Sequence, residues 1–333
     1  MQEGFGSTPE FQKSPENNEK RNISEKIEKA VDKILLWGSI AAVTGAAGLG
    51  IKIFHEHREA RKPENYIEYI STKGELNESQ RNELLNQLKY LKEQFSDNII
   101  PHLKQSDIRA QEKVPPVPHI EGFQESNVPT QDLQKLWNDK MYPKGTIEGN
   151  VEYISYRGPS EVREDSEYGF RHVRSGEADN RDYAISLMGW LESDLKGISY
   201  KDRIESLDWI FSHELGHLND WDSARGLTPE QRVQFLDEVT RAYEREGKFK
   251  GLTGYDDKIN NPDAKKEKYY KVSEWWGTLS EYYFTFPDIL REDSPQDYKL
   301  AHKWLSRNDT NFNPALSKVH RDVVIEEIVK KQE

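Results

Sequence analysis

The amino-acid sequence predicts an α+β fold in which a small sheet precedes a helix-rich half, with a single membrane-spanning helix ahead of both. Three observations carry this expectation. An uncharged run near the N-terminus is long enough to reach across a bilayer, short β-like runs cluster between residues 151 and 188, and long amphipathic patterns fill most of the chain after Ser199. Hydrophobic residues make up 35% of the chain against 32% charged, so a core must be concentrated in one part of it. Most of the eight Trp and sixteen Tyr lie beyond residue 135, which places the packed domain there.

Taken in order, residues 1–33 form a polar tail that turns helical from Ser24, with Ile27, Val31, Ile34 and Leu35 at helical spacing. Residues 34–54 are expected to be a transmembrane anchor. The 18 residues from 34 to 51 carry no charge, and at about 1.5 Å each they span ~27 Å. A buried hairpin helix or a signal-peptide core is the competing reading of the same run. Gly38, Ala42, Ala46 and Gly50 recur every fourth residue, a spacing that allows a homodimer through this helix. Flanking Lys and Arg are nearly balanced. Lys20, Arg21, Lys26, Lys29 and Lys33 precede the run and Lys52, Arg58, Arg61 and Lys62 follow it, a slight bias that puts the large domain on the extracytoplasmic side of a single-pass membrane protein.

Residues 55–130 are expected to hold one polar helix over 78–95, striped by Leu84, Leu85, Leu88 and Leu91, and then a linker punctuated by Pro101, Pro115, Pro116, Pro118 and Pro129. Residues 131–333 form the folded domain, with strands expected at 151–156, 168–173 and 183–188. The formal net charge of −12, with no long basic cluster, argues against nucleic acid as a partner. The chain has no Cys, which removes disulfides and thiolate ligands and leaves His and carboxylates as the strong metal ligands.

The chemistry concentrates in His213-Glu214-Leu215-Gly216-His217. Two His at i and i+4 project from one face of a helix and can share a metal ion. The helix itself is well specified: Ser199 and Asp202 have capping-box spacing, and Ile204, Leu207, Phe211, Leu215 and Leu218 form one apolar stripe. The His pair lies away from that stripe, with Glu214 between the two arcs, able to reach a metal-bound water without being a ligand. A catalytic zinc needs a third protein ligand from elsewhere. The favoured residue is Glu274, which shares a face with Thr278, Glu281 and Thr285 on a helix otherwise covered by Trp275, Trp276, Leu279, Tyr282 and Tyr283. Glu238, in the helix opened by Thr228-Pro229, is the alternative, although Arg241 and Arg245 nearby suggest an ion-paired surface face.

These residues resemble the gluzincin metallopeptidases, in which an H-E-x-x-H helix is completed by a Glu from a later helix. The closest likeness is to the anthrax lethal factor-like and Pro-Pro endopeptidase branch, through His213-Glu-Leu-Gly-His217 and Glu274-Trp-Trp-Gly277. The likeness is confined to about residues 150–286. It implies a zincin-like domain, Zn2+ on His213, His217 and Glu274, Glu214 as catalytic base, and a peptide or protein substrate. Two positions depart from the branch. Thr278 stands where a second acid is common, leaving Glu281, Asp220 or a backbone carbonyl to orient a zinc His, and Glu267 stands where an oxyanion-steadying Tyr is common, leaving Tyr269 or Tyr270 for that role. The expected activity is that of a membrane-anchored zinc endopeptidase. The alternatives are a catalytically inactive zincin-fold scaffold at the membrane and a zinc hydrolase of a non-peptide amide.

Overall fold

The structure, a computed structural model, describes residues 59–111, 117–123, 128–159, 161–165, 170–174, 176–179, 183–189, 199–245 and 264–332. The chain divides after Ala60, and the described residues lie almost wholly in the second unit, Arg61–Glu333. The expected tail, the uncharged run at 34–51 and the small-residue stripe lie outside the described residues. Among the described residues no helix is long and apolar enough to cross a membrane.

The second unit begins with three helices, α1 (Pro63–Ser71), α2 (Glu78–Gln94) and α3 (Ile99–Arg109). The side chains of Asn77 and Gln80 close a reciprocal capping box on α2, whose Leu84, Leu88 and Leu91 are buried. Helix α3 occupies part of the segment expected to be a linker. Pro101 was the misleading residue: it sits in the first turn, where a helix needs no backbone N–H from it. These helices share one continuous core with the rest of the unit, from Tyr66 to Ile328, so the folded domain starts near Arg61 and not at residue 131.

The main sheet has the order β1 (His119–Glu121), β2 (Tyr153–Pro159), β6 (Ala184–Gly189) and β5 (Gly176–Asp179), and α4 (Thr130–Leu136) lies between β1 and β2 in the chain. The first three strands are parallel, with His119 opposite Tyr153 and Ile154 opposite Ile185, while β5 runs antiparallel to β6 at the edge. A separate antiparallel ladder pairs β3 (Glu161–Asp165) with β4 (Phe170–Arg174). The α+β class expected from the sequence therefore holds, with strands β1, β3 and β5 added to those its patterns marked.

The helix-rich half comprises α5 (Tyr200–Leu218), α6 (Pro229–Glu244), α7 (Ala264–Thr285), α8 (Pro287–Asp293), α9 (Pro295–Leu305) and α10 (Pro314–Lys330). Capping boxes open α5 at Ser199 and α6 at Thr228. Every residue of the predicted α5 stripe, Ile204, Leu207, Phe211, Leu215 and Leu218, is buried. One face of α5 packs on β5 and β6 and another on α7, its largest partner. Below this crossing Asp208 is buried but satisfied, accepting from Trp137 Nε1 at 3.1 Å and Tyr142 Oη at 2.9 Å beside Arg321 Nε at 3.3 Å. This network ties α5 to α10 and fixes the helix that carries the His pair.

Candidate metal centre

Helices α5 and α7 approach closely because the residues at their crossing are small. A β-carbon on Gly216 would lie 2.6 Å from both Cβ and Oγ of Ser280, and Trp276 Nε1 donates to the Gly216 carbonyl at 3.1 Å. Both glycines of the sequence motifs thus have a packing reason. Gly277 lies under the two imidazoles, and a β-carbon there would sit 2.8 Å from His213 Nε2 and 2.8 Å from His217 Nε2. The space that its missing side chain leaves is bounded by ring nitrogens.

His213, His217 and Glu274 are brought together with one potential ligand atom each, all within 4.8 Å of one another. The two Nε2 atoms are 3.2 Å apart, and they stand 3.6 Å (His213) and 3.7 Å (His217) from the Glu274 carboxylate oxygens. Tetrahedral zinc with bonds of about 2.0–2.1 Å would separate its ligand atoms by roughly 3.3 Å. The donor set, two neutral-capable imidazoles and a carboxylate, therefore fits zinc in both type and spacing. Glu214 is buried beside His213.

The outward ring nitrogens are occupied. His213 Nδ1 lies 3.2 Å from Glu281 Oε2, and His217 Nδ1 lies 3.3 Å from Ser273 Oγ. Partners at Nδ1 orient each ring with Nε2 inward, which is how outer groups preorganise metal-binding imidazoles. Of the orienting groups considered from sequence, Glu281 touches a site His. Asp220 instead accepts the backbone N–H groups of Asp222 and Ser223 at 2.8 and 2.9 Å, capping the turn after α5. Ser273 was not singled out from sequence, although its position one residue before Glu274 could have suggested it.

Burial works against a proton on His213, yet hydrogen bonds to Glu274 and Glu281 and the charge of Glu214 outweigh it and raise the pKa to about 10. His217 is lowered to about 4 by burial, which the charge on His213 reinforces against the pull of Glu274. Burial opposes ionisation of Glu274, but His213, His217 and the hydroxyl of Tyr270 hold its pKa below the ordinary value. Carboxylates thus surround two imidazoles of which only one takes a proton, a pocket suited to a more highly charged cation.

The remaining candidates separate cleanly. Glu238 is held by Lys303 Nζ at 2.7 and 2.8 Å and by Trp304 Nε1 at 3.0 Å, as part of an ion-paired face of α6. Tyr269 is taken up in packing, with its hydroxyl 3.0 Å from both Trp221 Nε1 and His102 Nε2. Tyr270, partly exposed, reaches the Glu274 carboxylate. The side chain of Glu267 lies outside the described residues. Compared with protein families, with curated proteins and with solved structures, the chain gives no match, so its function has to be argued from this site.

Proposed function

We propose that the chain is a zinc-dependent endopeptidase with a zincin-like domain of the gluzincin type, anchored to a membrane through residues 34–54. The observation that carries the reading is the convergence of His213 Nε2, His217 Nε2 and the Glu274 carboxylate above Gly277, with Glu214 alongside. Zinc held there would supply an acidified water, with a pKa near ~7, and polarise a scissile carbonyl. Glu214, buried beside His213, would be the general base there, its carboxylate able to take a proton from water and return it to the leaving amine. Glu281 and Ser273 hold the rings through Nδ1, and Tyr270 steadies the ligand carboxylate. Edge strand β5, which packs on α5, offers a row of backbone groups along which an extended peptide can pair. The inactive-scaffold alternative would need one of the required groups to be missing, and all four are present.

The test is Glu214→Gln, with zinc and turnover measured on the same preparation. Zinc content stays at one per chain, because no ligand is removed, while peptide hydrolysis falls ~10²–10⁴-fold with the general base. Full activity in a zinc-loaded Glu214→Gln protein would overturn the mechanism and leave the metal centre standing. Zinc retained in full by His213→Ala and His217→Ala would remove the centre itself.

A further inference from the structure

The two helices that carry the metal ligands are tied together on both sides of the site. The order of their contacts, Gly216 with Ser280, His217 with Ser273 and Trp221 with Tyr269, shows α5 and α7 running antiparallel. The crossing of Gly216 with Ser280 is one tie. The other lies four residues after His217 and five before Glu274, where Trp221 Nε1, in the turn that follows α5, donates to Tyr269 Oη at 3.0 Å. His217 and Glu274 sit between the two, so the separation of their ligand atoms depends on both.

A third element completes the second tie. His102 of α3 places Nε2 3.0 Å from Tyr269 Oη and 3.2 Å from Asp222 Oδ1. A carboxylate only accepts, so Nε2 carries a hydrogen, and that N–H bridges the turn after α5 to α7. Asp222 is held further by Ser106 and by Arg109 Nη2 at 2.9 Å, both also on α3. Burial opposes its ionisation, but His102, Ser106 and Arg109 together keep its pKa well below the ordinary carboxylate range. Burial and the charges of Asp222 and Asp220 push the Tyr269 hydroxyl well above its ordinary value, so it stays neutral. A charged acceptor thus fixes His102, and His102 fixes Tyr269. Phe95 stands edge-on to the same ring at 5.3 Å, and Lys268 beside it bonds Gln94 of α2 and Glu244 of α6.

We propose that His102 is a positioning residue for the metal centre, acting through Tyr269 to hold the start of α7, and with it Tyr270, Ser273 and Glu274, at the distance from His217 that the ion requires. This role rests on the metal centre of the proposed function. It also gives α3, which lies outside residues 150–286 and their likeness to known peptidases, a part in the site. The His102 side chain is 35% exposed, so it can be changed without opening the core.

The test uses the full-length chain with Co2+ as a coloured probe. His102→Phe keeps a ring and removes the N–H, and cobalt affinity should fall ~10-fold or more, as loss of an outer partner typically does. The visible cobalt bands should shift, and in the metal-free protein the amides of residues 269–274 should exchange with deuterium about tenfold faster. Tyr269→Phe, which keeps the ring against Phe95, should move all three readouts the same way. His102→Gln, whose amide nitrogen can donate from near the position of Nε2, should restore them. Ile70→Val, a cavity in the buried face of α1, should lower the melting temperature and leave the cobalt bands in place. Unchanged bands and exchange in His102→Phe, or equal changes in Ile70→Val, would overturn the proposal. No cobalt uptake by the wild type would remove the centre and this role together. Cobalt bands that depend on His102 in a protein without peptidase activity would support the positioning role and count against the peptidase reading, so the two fail separately.

Discussion

At the scale of single residues, the two imidazoles differ sharply in proton affinity, and under the proposed function zinc would compete with a proton for them. With His213 raised to about 10 and His217 lowered to about 4, the centre carries one proton at neutral pH, on His213. Zinc binding should therefore release about one proton, and zinc affinity should rise about tenfold per pH unit between pH 7 and 9. The signs for stability follow from the same shifts. The raised pKa of His213 contributes stability that is complete below the unfolded value near ~6.5 and is lost as pH rises toward about 10. The lowered pKa of His217 contributes stability present above ~6.5 and lost as pH falls toward about 4. Melting temperatures of the chelator-treated protein should decline between pH 7 and 9, while the zinc-loaded protein should not show the His213 loss. Zinc affinity that is flat across that range would show that no proton is displaced. The same scale explains a limit of the sequence. Glu274 and Glu238 are both helical carboxylates at a plausible distance along the chain, and only the partners Lys303 and Trp304 reveal that Glu238 is already engaged.

At the scale of elements, the decisive feature is the α5–α7 crossing. Gly277 costs α7 about 1 kcal/mol of helix propensity relative to Ala, and its position against both Nε2 atoms gives a reason to keep it. In Gly277→Ala the new methyl would lie 2.8 Å from each Nε2, closer than carbon and nitrogen approach, and would push both imidazoles out of their converging positions. The variant should retain little zinc by elemental analysis and melt at a lower temperature when metal-free, because a methyl under 3.0 Å from three ring atoms forces the buried imidazoles aside, a strain that outweighs the gain in helix propensity. Wild-type zinc affinity in Gly277→Ala would mean that the ion does not sit above this residue. Elements also differ in how readable they are. Helices α5 and α6 were legible because Ser199 and Thr228 cap them and apolar residues recur at helical spacing. Strand β1 is three residues long, and β5 reads Gly-Glu-Ala-Asp, a composition poor in strand formers. Such strands exist through pairing with β2 and β6, an interaction that no local window contains.

At the scale of the whole molecule, the proposal joins a folded unit beginning near Arg61 to an uncharged run at 34–51. Full-length protein should stay with membranes through a carbonate wash, and the same protein cleaved between that run and Arg61 should release its C-terminal part. Full-length protein recovered in the supernatant would exclude the anchor. What the amino-acid sequence determined alone is the set of locally encoded features: the capped α5 helix, the His213–His217 pair on one of its faces, Glu214 between the arcs, and the acidic, cysteine-free character that points to His and carboxylate ligands. Each depends on helical spacing or composition, which neighbouring residues carry without help. What only the tertiary structure decided is which distant groups complete the site. Glu274, Glu281, Ser273 and the floor at Gly277 lie 56 or more positions along the chain from the imidazoles they serve. Their placement is the result of two helices packing through Gly216, Gly277 and Ser280, and the closeness of that packing is a property of both helices at once.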